Sequence, residues 1–191
     1  MEFKKLSKKV VSLALAVAVV ASSVVVPGTA KKAEAAKSYK AYLCLQTKKY
    51  NYRNEHNDEK FANCVSDQSG KKLAGKFTDA SFKKGKFTFT VSATGLKKKI
   101  AKDGGWNTLY IDTTLPGSQK SKLKVTKIVV KVDGKAVKTI KNPVLTPDPG
   151  KTASFTQIMA INNYNKNAMK KCSNLKMPKN SISITVSGKL K

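Results

Sequence analysis

The feature that most constrains the fold is an alternation of apolar and polar residues in short segments. In residues 86–93, KFTFTVSA, Phe87, Phe89 and Val91 point to one face of an extended chain and hydroxyl residues point to the other. This two-residue period is typical of a half-buried strand. Segments rich in β-forming residues recur at 38–47, 75–82, 107–114, 121–132, 135–140 and 181–188. Short strands separated by Gly, Pro, Asn and Asp predict an all-β fold, an antiparallel β-sandwich of the jelly-roll or immunoglobulin-like type.

Three local departures from the alternation carry further predictions. In residues 121–132 the apolar spacing shifts by one between Val125 and Ile128, which predicts a β-bulge near Thr126–Lys127. Asp133-Gly134 predicts a two-residue hairpin turn, since both positions require positive φ. Residues 154–172 place apolar side chains near helical spacing, although several asparagines weaken the pattern, so we expect a long connection with one short helix.

The N-terminus has the organisation of a secretory signal peptide. Lysines at positions 4, 5, 8 and 9 precede an uncharged apolar run over residues 10–26, and small residues follow it. Cleavage fits after Ala30 or after Ala35, and we favour the second. The run is also at the short limit for an uncleaved membrane anchor. We expect a signal peptide over 1–35 and a single sandwich domain over 36–191, secreted and associated with the cell wall, with no membrane contact after cleavage.

The charge of the chain is strongly positive. It has 38 Lys+Arg against 11 Asp+Glu, a formal net charge of +27, and Arg53 is its one arginine. Such a protein is drawn to polyanions by long-range fields. Arginine is the usual residue for reading base edges, so lysine spread along the chain does not predict specific nucleic-acid binding. Two interpretations stay open: a lysine-biased solvated surface, or adhesion to an anionic layer such as the teichoic acids of a Gram-positive wall.

Several segments, taken in order, resemble a known family. They are AYLCLQTKKYNYRN, GKFTFTVSATGL, NTLYIDTTLP, VTKIVVKVDGKAV, PVLTPDPG, INNYN and ISITVSG. Together they resemble an uncharacterised family of small exported domains of Gram-positive bacteria, similar to jelly-roll carbohydrate-binding modules. The resemblance covers nearly all of residues 38–189. It implies a β-sandwich and sugar binding, and it supplies no catalytic or ligand motif.

Residue types with catalytic potential are few. His56 is the single histidine and lies in a polar run, RNEHNDE, typical of an exposed loop. No serine occupies a nucleophile elbow, and no pair of acids has a recognisable signature. The cysteines, Cys44, Cys64 and Cys172, are odd in number and match no metal-site spacing, so their pairing stays open. We therefore predict no catalytic residues and a protein that is not an enzyme.

An oxygen-rich loop offers a candidate metal site. Asn54, Glu55, Asn57 and Asp58 carry amide and carboxylate oxygens, which suit a structural Ca²⁺. The ligand spacing of an EF-hand is absent. A solvated loop whose acids pair with nearby lysines is the simpler interpretation.

Two stretches could hold a sugar against an aromatic face. In the first, Tyr50 and Tyr52 share a face if the chain is extended, and Arg53 and Asn54 follow with hydrogen-bonding groups. Such a shallow site needs flat rings beside a few polar groups.

The second stretch is GGWNTLYIDTTLP, residues 104–116. In a regular strand Leu109 and Ile111 face the core, which places Trp106, Tyr110 and Asp112 together on the opposite face. The alternative is that Trp106, at the strand entry, closes one end of the core. We favour that alternative and keep the three residues as candidate ligand contacts.

These observations rank the functions. First is a secreted, non-catalytic β-sandwich module that binds a polysaccharide or the anionic cell wall. Second is a structural or protein-interaction module that adheres to acidic partners by charge. Third is a secreted hydrolase. The ligand and the oligomeric state stay open.

Overall fold

The computed structural model describes residues 37–48, 50–52, 65–67, 72–73, 76–96, 104–147, 155–164, 166–167 and 175–191. All of them belong to the compact unit Ala35–Lys191. The predicted signal peptide over 1–35 lies outside the described residues, so it stays a prediction.

Almost all of the regular structure in these residues is extended. The strands, in chain order, are β1 (Ser38–Thr47), β2 (Tyr50–Tyr52), β3 (Val65–Asp67), β4 (Lys72–Leu73), β5 (Lys76–Thr78), β6 (Ala80–Lys83), β7 (Gly85–Thr94), β8 (Trp106–Pro116), β9 (Leu123–Val132), β10 (Lys135–Lys141), β11 (Leu145–Pro147), β12 (Phe155–Asn162) and β13 (Ile182–Leu190). A 3₁₀ helix, Gly117–Lys122, joins β8 to β9.

The strands form two antiparallel sheets. The larger sheet has the order β11-β12-β8-β1-β2-β3-β4, with β6 also paired to β1. The smaller sheet has the order β10-β9-β13-β7-β5. This confirms the predicted all-β sandwich.

One continuous apolar core lies between the facing sides of the sheets. Strand β1 supplies Leu43 and Leu45, and β8 supplies Leu109 and Ile111, all fully buried. The smaller sheet contributes the inward residues of its central strands, namely Phe89, Val91, Ala93, Leu123, Val125, Ile128, Val130, Val132, Ile182, Ile184, Val186 and Leu190. An aromatic group of Tyr39, Phe82, Phe87 and Phe89, with ring centroids 5.1–5.8 Å apart, closes one region of this core. Burial of this apolar area is the main force that holds the sheets together.

The two turn and bulge predictions in the smaller sheet are confirmed. Where β13 pairs β9, Ser187 lies opposite Lys127 and Gly188 lies opposite Val125, so Thr126 is the extra residue of a bulge. Asp133 and Gly134 have φ of 49° and 81°, as a two-residue hairpin turn between β9 and β10 requires.

The helical pattern over 154–172 is corrected in its first half. Residues Phe155–Asn162 form strand β12, and among the described residues of that segment only Lys166 and Asn167 have helical backbone. Every side chain from Thr156 to Ile161 is buried, with Ile158, Ala160 and Ile161 in the main core and Met159 in a second apolar cluster. A strand that is covered on both faces shows no two-residue period. Two register shifts, between Phe155 and Gln157 and between Met159 and Ile161, disturb the pattern further. No helix among the described residues is long and apolar enough to cross a membrane.

The segment predicted as one strand over 75–82 is divided between the sheets. Strand β5 pairs β7 in the smaller sheet, and β6 pairs β1 in the larger sheet. Asp79 lies at the crossing between them. Phe77 and Phe82 both bury their rings in the common core, which a crossing chain can do from either sheet.

Candidate functional site

The predicted aromatic face around Trp106 does not form. Trp106 is 6% exposed and belongs to the main core, together with Leu109 and Ile111. Its indole Nε1 donates a hydrogen bond to the Leu175 carbonyl at 3.1 Å, and the side-chain amide of Asn163 donates to the Trp106 carbonyl. The ring is therefore part of the core, as the favoured alternative predicted.

A β-bulge causes this difference from the regular pattern. In the pairing of β1 with β8, Gln46 lies opposite Thr108, but Thr47 lies opposite Trp106. Asn107 is the extra residue, and its side-chain Nδ2 donates to the Thr47 carbonyl at 3.1 Å. The bulge turns Trp106 to the same face as Leu109, so grouping Trp106 with Tyr110 and Asp112 was wrong.

Tyr110 and Asp112 do share the outer face of the larger sheet, but that face is covered. Tyr110 is 4% exposed and forms a second apolar cluster with Cys44 and Met159, against which Val144 packs. Asp112 is fully buried, and its Oδ1 accepts a hydrogen bond from the Thr113 N–H at 3.0 Å. Neither residue offers an open surface to a polysaccharide.

Of the remaining candidate ligand-binding residues, the structure describes only Tyr50 and Tyr52. Tyr50 and Tyr52 lie in β2, where Leu45 is the partner of Tyr52 and Asp67 the partner of Tyr50. The other candidate ligands lie outside the described residues: Arg53, Asn54, Glu55, Asn57 and Asp58. His56, the single histidine, also lies outside them. The calcium hypothesis therefore stays a prediction. Within the part of the chain that the structure describes, no three His, Cys, Asp or Glu residues are grouped as metal ligands are.

The outer surface of the smaller sheet is open and basic. Its outward positions alternate with the core positions of β5, β7, β9, β10 and β13, and the described sequence of these strands contains no acidic residue. We name this surface the lysine face, after its exposed outward lysines: Lys76, Lys86, Lys124, Lys127, Lys131, Lys141 and Lys189.

Strand register brings lysines of this face side by side. Lys189 on β13 lies directly opposite Lys86 on β7 and directly opposite Lys124 on β9. Lys127 and Lys141 are cross-strand partners in the same way. Neighbouring strands are about 4.8 Å apart, so the row Lys86–Lys189–Lys124 spans roughly 10 Å. Like charges directly opposite each other destabilise a sheet, so this arrangement favours a bound anion.

Hydroxyl groups fill the centre of the lysine face. Thr90 and Thr185 are cross-strand partners with their Oγ1 atoms 2.8 Å apart, and Thr88 Oγ1 donates to Ser187 Oγ at 3.2 Å. A hydroxyl has one donor and two acceptor lone pairs, so each pair keeps hydrogen-bonding capacity for a ligand. The face thus offers hydroxyls between cationic rows.

Sequence reasoning did not find this surface. The alternation in residues 86–93 identified the inward residues correctly, and the outward ones were visible as Thr and Ser. What the sequence could not show is which strands are neighbours and in which register. Lys86, Lys124 and Lys189 are far apart in the chain and meet only through the pairing of β7, β13 and β9.

An acid in the hairpin turn between β9 and β10 fixes one end of the smaller sheet. Asp133, in the hairpin turn, accepts hydrogen bonds from the backbone N–H groups of Lys179, Asn180 and Ser181 at 2.8–3.0 Å. Desolvation by itself raises the pKa of the Asp133 carboxyl. These three N–H donors and the nearby Lys179 charge outweigh it, so the pKa lies below its ordinary value.

Comparison with known proteins adds no relative to this description. No family model, no curated protein and no solved structure matches the chain.

Proposed function

We propose that this protein is an exported, non-catalytic module that binds an anionic cell-wall polymer through the lysine face. The observation that carries the proposal is the row Lys86–Lys189–Lys124, in which register places three like charges on adjacent strands. When lysines neutralise the charges of a polyanion, the small cations condensed on that polymer are released. This release favours binding.

The composition of the face favours a phosphate-bearing, non-nucleic polymer. Lysine is a hydrated point charge, suited to phosphates without defined geometry. Proteins that hold single-stranded nucleic acid stack bases on aromatic rings, whereas the outward positions of β7, β9 and β13 are Lys, Thr, Ser and Val. The hydroxyl pairs suit a polyol phosphate, whose backbone alternates phosphates with hydroxyl carbons.

The test compares two triple variants with the same change of charge. In the first, Lys86, Lys124 and Lys189 become glutamine. In the control, Lys48, Lys166 and Lys176, which are exposed and lie off the lysine face, become glutamine. Binding to a purified glycerol-phosphate polymer is measured over a series of salt concentrations, with dextran as the uncharged reference.

The face variant should lose at least about tenfold in affinity at low salt. Its plot of log affinity against log salt should become shallower, because each phosphate contact that is lost releases fewer counterions. The control variant should keep most of the affinity. Equal weakening of both variants would mean that total charge alone drives adhesion, which is the second-ranked function. Binding that persists at about 0.5 M salt, where the Debye length is only a few ångströms, would also contradict the proposal.

A further inference from the structure

One end of the sandwich carries six lysines that do not belong to the lysine face. The segments that form this end, residues 37–38, 83–85, 117–122 and 191, contain no acidic residue. We name the group the lysine pole. Its members are exposed, except for one that is partly exposed, Lys120, and the others are Lys37, Lys83, Lys84, Lys122 and Lys191.

Two connections that cross between the sheets at this end are basic. Lys84 is the single residue between β6 of the larger sheet and β7 of the smaller sheet. The 3₁₀ helix that joins β8 to β9 has no buried residue and no acid in its first turn, and its last turn carries Lys120 and Lys122. The positive charge therefore extends from one sheet to the other.

Strand register brings the remaining segments to the same end. In the larger sheet, Lys83 lies opposite the first residue of β1. In the smaller sheet, Gly85 lies opposite Leu190. The next residue, Lys191, donates its backbone N–H to the Lys122 carbonyl at 3.1 Å. Lysines that are far apart in the sequence are thus held together by paired strands and a backbone hydrogen bond.

The lysine pole is an area of charge rather than a row. Its lysines lie at the ends of both sheets, and stacked sheets are about 10 Å apart. A linear polymer can follow one row of charges, whereas a lipid bilayer presents anionic headgroups over a plane. Among the described residues, the exposed large apolar side chains are Val137 and Tyr164, and neither belongs to the pole. The pole therefore fits a charged plane and has no side chain that would insert into hydrocarbon.

We propose that the lysine pole docks the protein end-on to an anionic lipid bilayer by electrostatic attraction. Each lysine close to such a surface strengthens the attraction about fivefold. The ten residues of β9 run from this end towards the Asp133–Gly134 turn, and a strand of that length spans about 30 Å. The bilayer thus contacts one end of the sandwich, and the turn lies far from it.

This contact differs from the two expectations already stated. The sequence predicts no membrane contact after cleavage, since it has no second apolar run long enough to cross a bilayer. A contact with headgroups needs no such run, and here it replaces that expectation. The pole also excludes Lys86, Lys124 and Lys189, which carry the proposed polymer binding, so it does not rest on that proposal.

The test mixes the exported protein with lipid vesicles at about 0.1 M salt, where the Debye length is about 10 Å. One set of vesicles contains equimolar phosphatidylglycerol and phosphatidylcholine, and the reference set contains phosphatidylcholine alone. Bound protein is measured after sedimentation of the vesicles. We expect binding to the anionic set only, with release at about 0.5 M salt.

Two triple variants with the same change of charge locate the contact. The pole variant replaces three exposed lysines with glutamine, namely Lys84, Lys122 and Lys191, and should bind the anionic vesicles at least about tenfold more weakly. The matched control replaces three exposed lysines towards the opposite end, namely Lys76, Lys131 and Lys135, and should keep most of the affinity.

The orientation is read from backbone amide signals of the ¹⁵N-labelled protein on vesicles that contain a gadolinium-chelating lipid. The metal broadens the signals of amides near the headgroups. We expect broadening at Lys84, Ser121 and Lys191, and none at Asp133 and Gly134.

Three results would overturn the proposal: anionic vesicles that bind no better than the reference set, equal losses in the two variants, or equal broadening at the pole and at the Asp133–Gly134 turn. A pole variant that loses affinity for the glycerol-phosphate polymer and keeps its vesicle binding would also overturn it, because the pole would then belong to the polymer site. The polymer experiment on Lys86, Lys124 and Lys189 decides the lysine face independently of these outcomes.

Discussion

The outer faces of the two sheets differ in their exposure to solvent. On the smaller sheet, the outward residues of β7, β9 and β13 are lysines, hydroxyl residues and Val129, and they are exposed or partly exposed to solvent. On the larger sheet, the outward residues Cys44, Tyr110 and Met159 are at most 4% exposed and form a second apolar cluster. We infer that the outer face of the larger sheet contributes mainly to stability, and that the outer face of the smaller sheet is available for binding. Substitutions on each face test this division.

The largest effect should follow truncation on the covered face. Tyr110→Ala removes a large ring from the cluster with Cys44 and Met159, and should lower the free energy of unfolding by about 3–5 kcal/mol. The measurement is chemical denaturation followed by circular dichroism. Polymer affinity of the remaining folded protein should not change.

Thr90→Ala on the lysine face is the control for that experiment. Thr90 is exposed and bonded only at the surface to Thr185, so its loss should change the unfolding free energy by less than about 1 kcal/mol. If both variants lose the same stability, the division between the faces is wrong.

A smaller effect should follow a change at the bulge that sets the lysine row. A Cβ on Gly188 would lie 2.5 Å from the Lys124 carbonyl oxygen and 2.8 Å from Phe87 Cζ. Gly188→Ala should therefore destabilise the protein by about 1–3 kcal/mol through overpacking. It should also weaken polymer binding, because Lys189 and Lys124 lose their register. Unchanged polymer binding in Gly188→Ala would show that the row does not depend on the bulge.

The sequence predicts regular alternation of apolar and polar residues correctly. It reveals a β-bulge that interrupts this alternation only where apolar residues lie on both sides of the bulge. The Thr126 bulge is flanked by Val125 and Ile128, so the shift in spacing reveals it. The Asn107 bulge lies between Trp106 and Thr108, and a polar residue beside a tryptophan gives no comparable mark. The pattern therefore predicted β9 correctly and assigned Trp106 to the wrong face.

The same reason limits prediction of a binding face. Inward residues share one chemistry and repeat along each strand, so local sequence identifies them. Outward residues acquire meaning from neighbours on other strands, and Lys86 and Lys189 become partners only through register. Whether an outward residue is covered also depends on distant parts of the chain. Tyr110 and Thr90 both occupy outward positions, yet Tyr110 is buried and Thr90 is exposed.

A pH effect confined to the smaller sheet should be smaller still. The three backbone donors hold the pKa of Asp133 below its ordinary value of 3.8, so the ionised carboxyl stabilises the folded state. That contribution is complete above the unfolded pKa and is lost as pH falls through the lower folded pKa. Because Asp133 is exposed, Asp133→Asn should lose only about 1 kcal/mol at pH 7.

The difference between the parent and Asp133→Asn should shrink as pH falls below about 4, near the unfolded pKa of aspartate. Denaturation midpoints measured between pH 7 and pH 2 follow it. A difference that is constant over this range would show that the hydrogen bonds of Asp133 do not depend on its charge. A loss that grows on acidification would contradict the direction of the pKa shift.

The smallest effect has the opposite sign and separates binding from stability most cleanly. Lys189 lies between Lys86 and Lys124, so Lys189→Thr removes two unfavourable cross-strand neighbours and should raise stability by about 0.2–1 kcal/mol at low salt. The gain should vanish at high salt, where the repulsion is already screened. Lys135→Thr is the matched control, since the partner of Lys135 is Val132 and no lysine is opposite it. A variant at Lys189 that is more stable yet binds the polymer more weakly would show that the lysine row is kept for binding at the expense of the sheet. A variant that loses stability at low salt would instead mean that the row is neutralised within the protein, and repulsion between the lysines would no longer indicate an anionic partner.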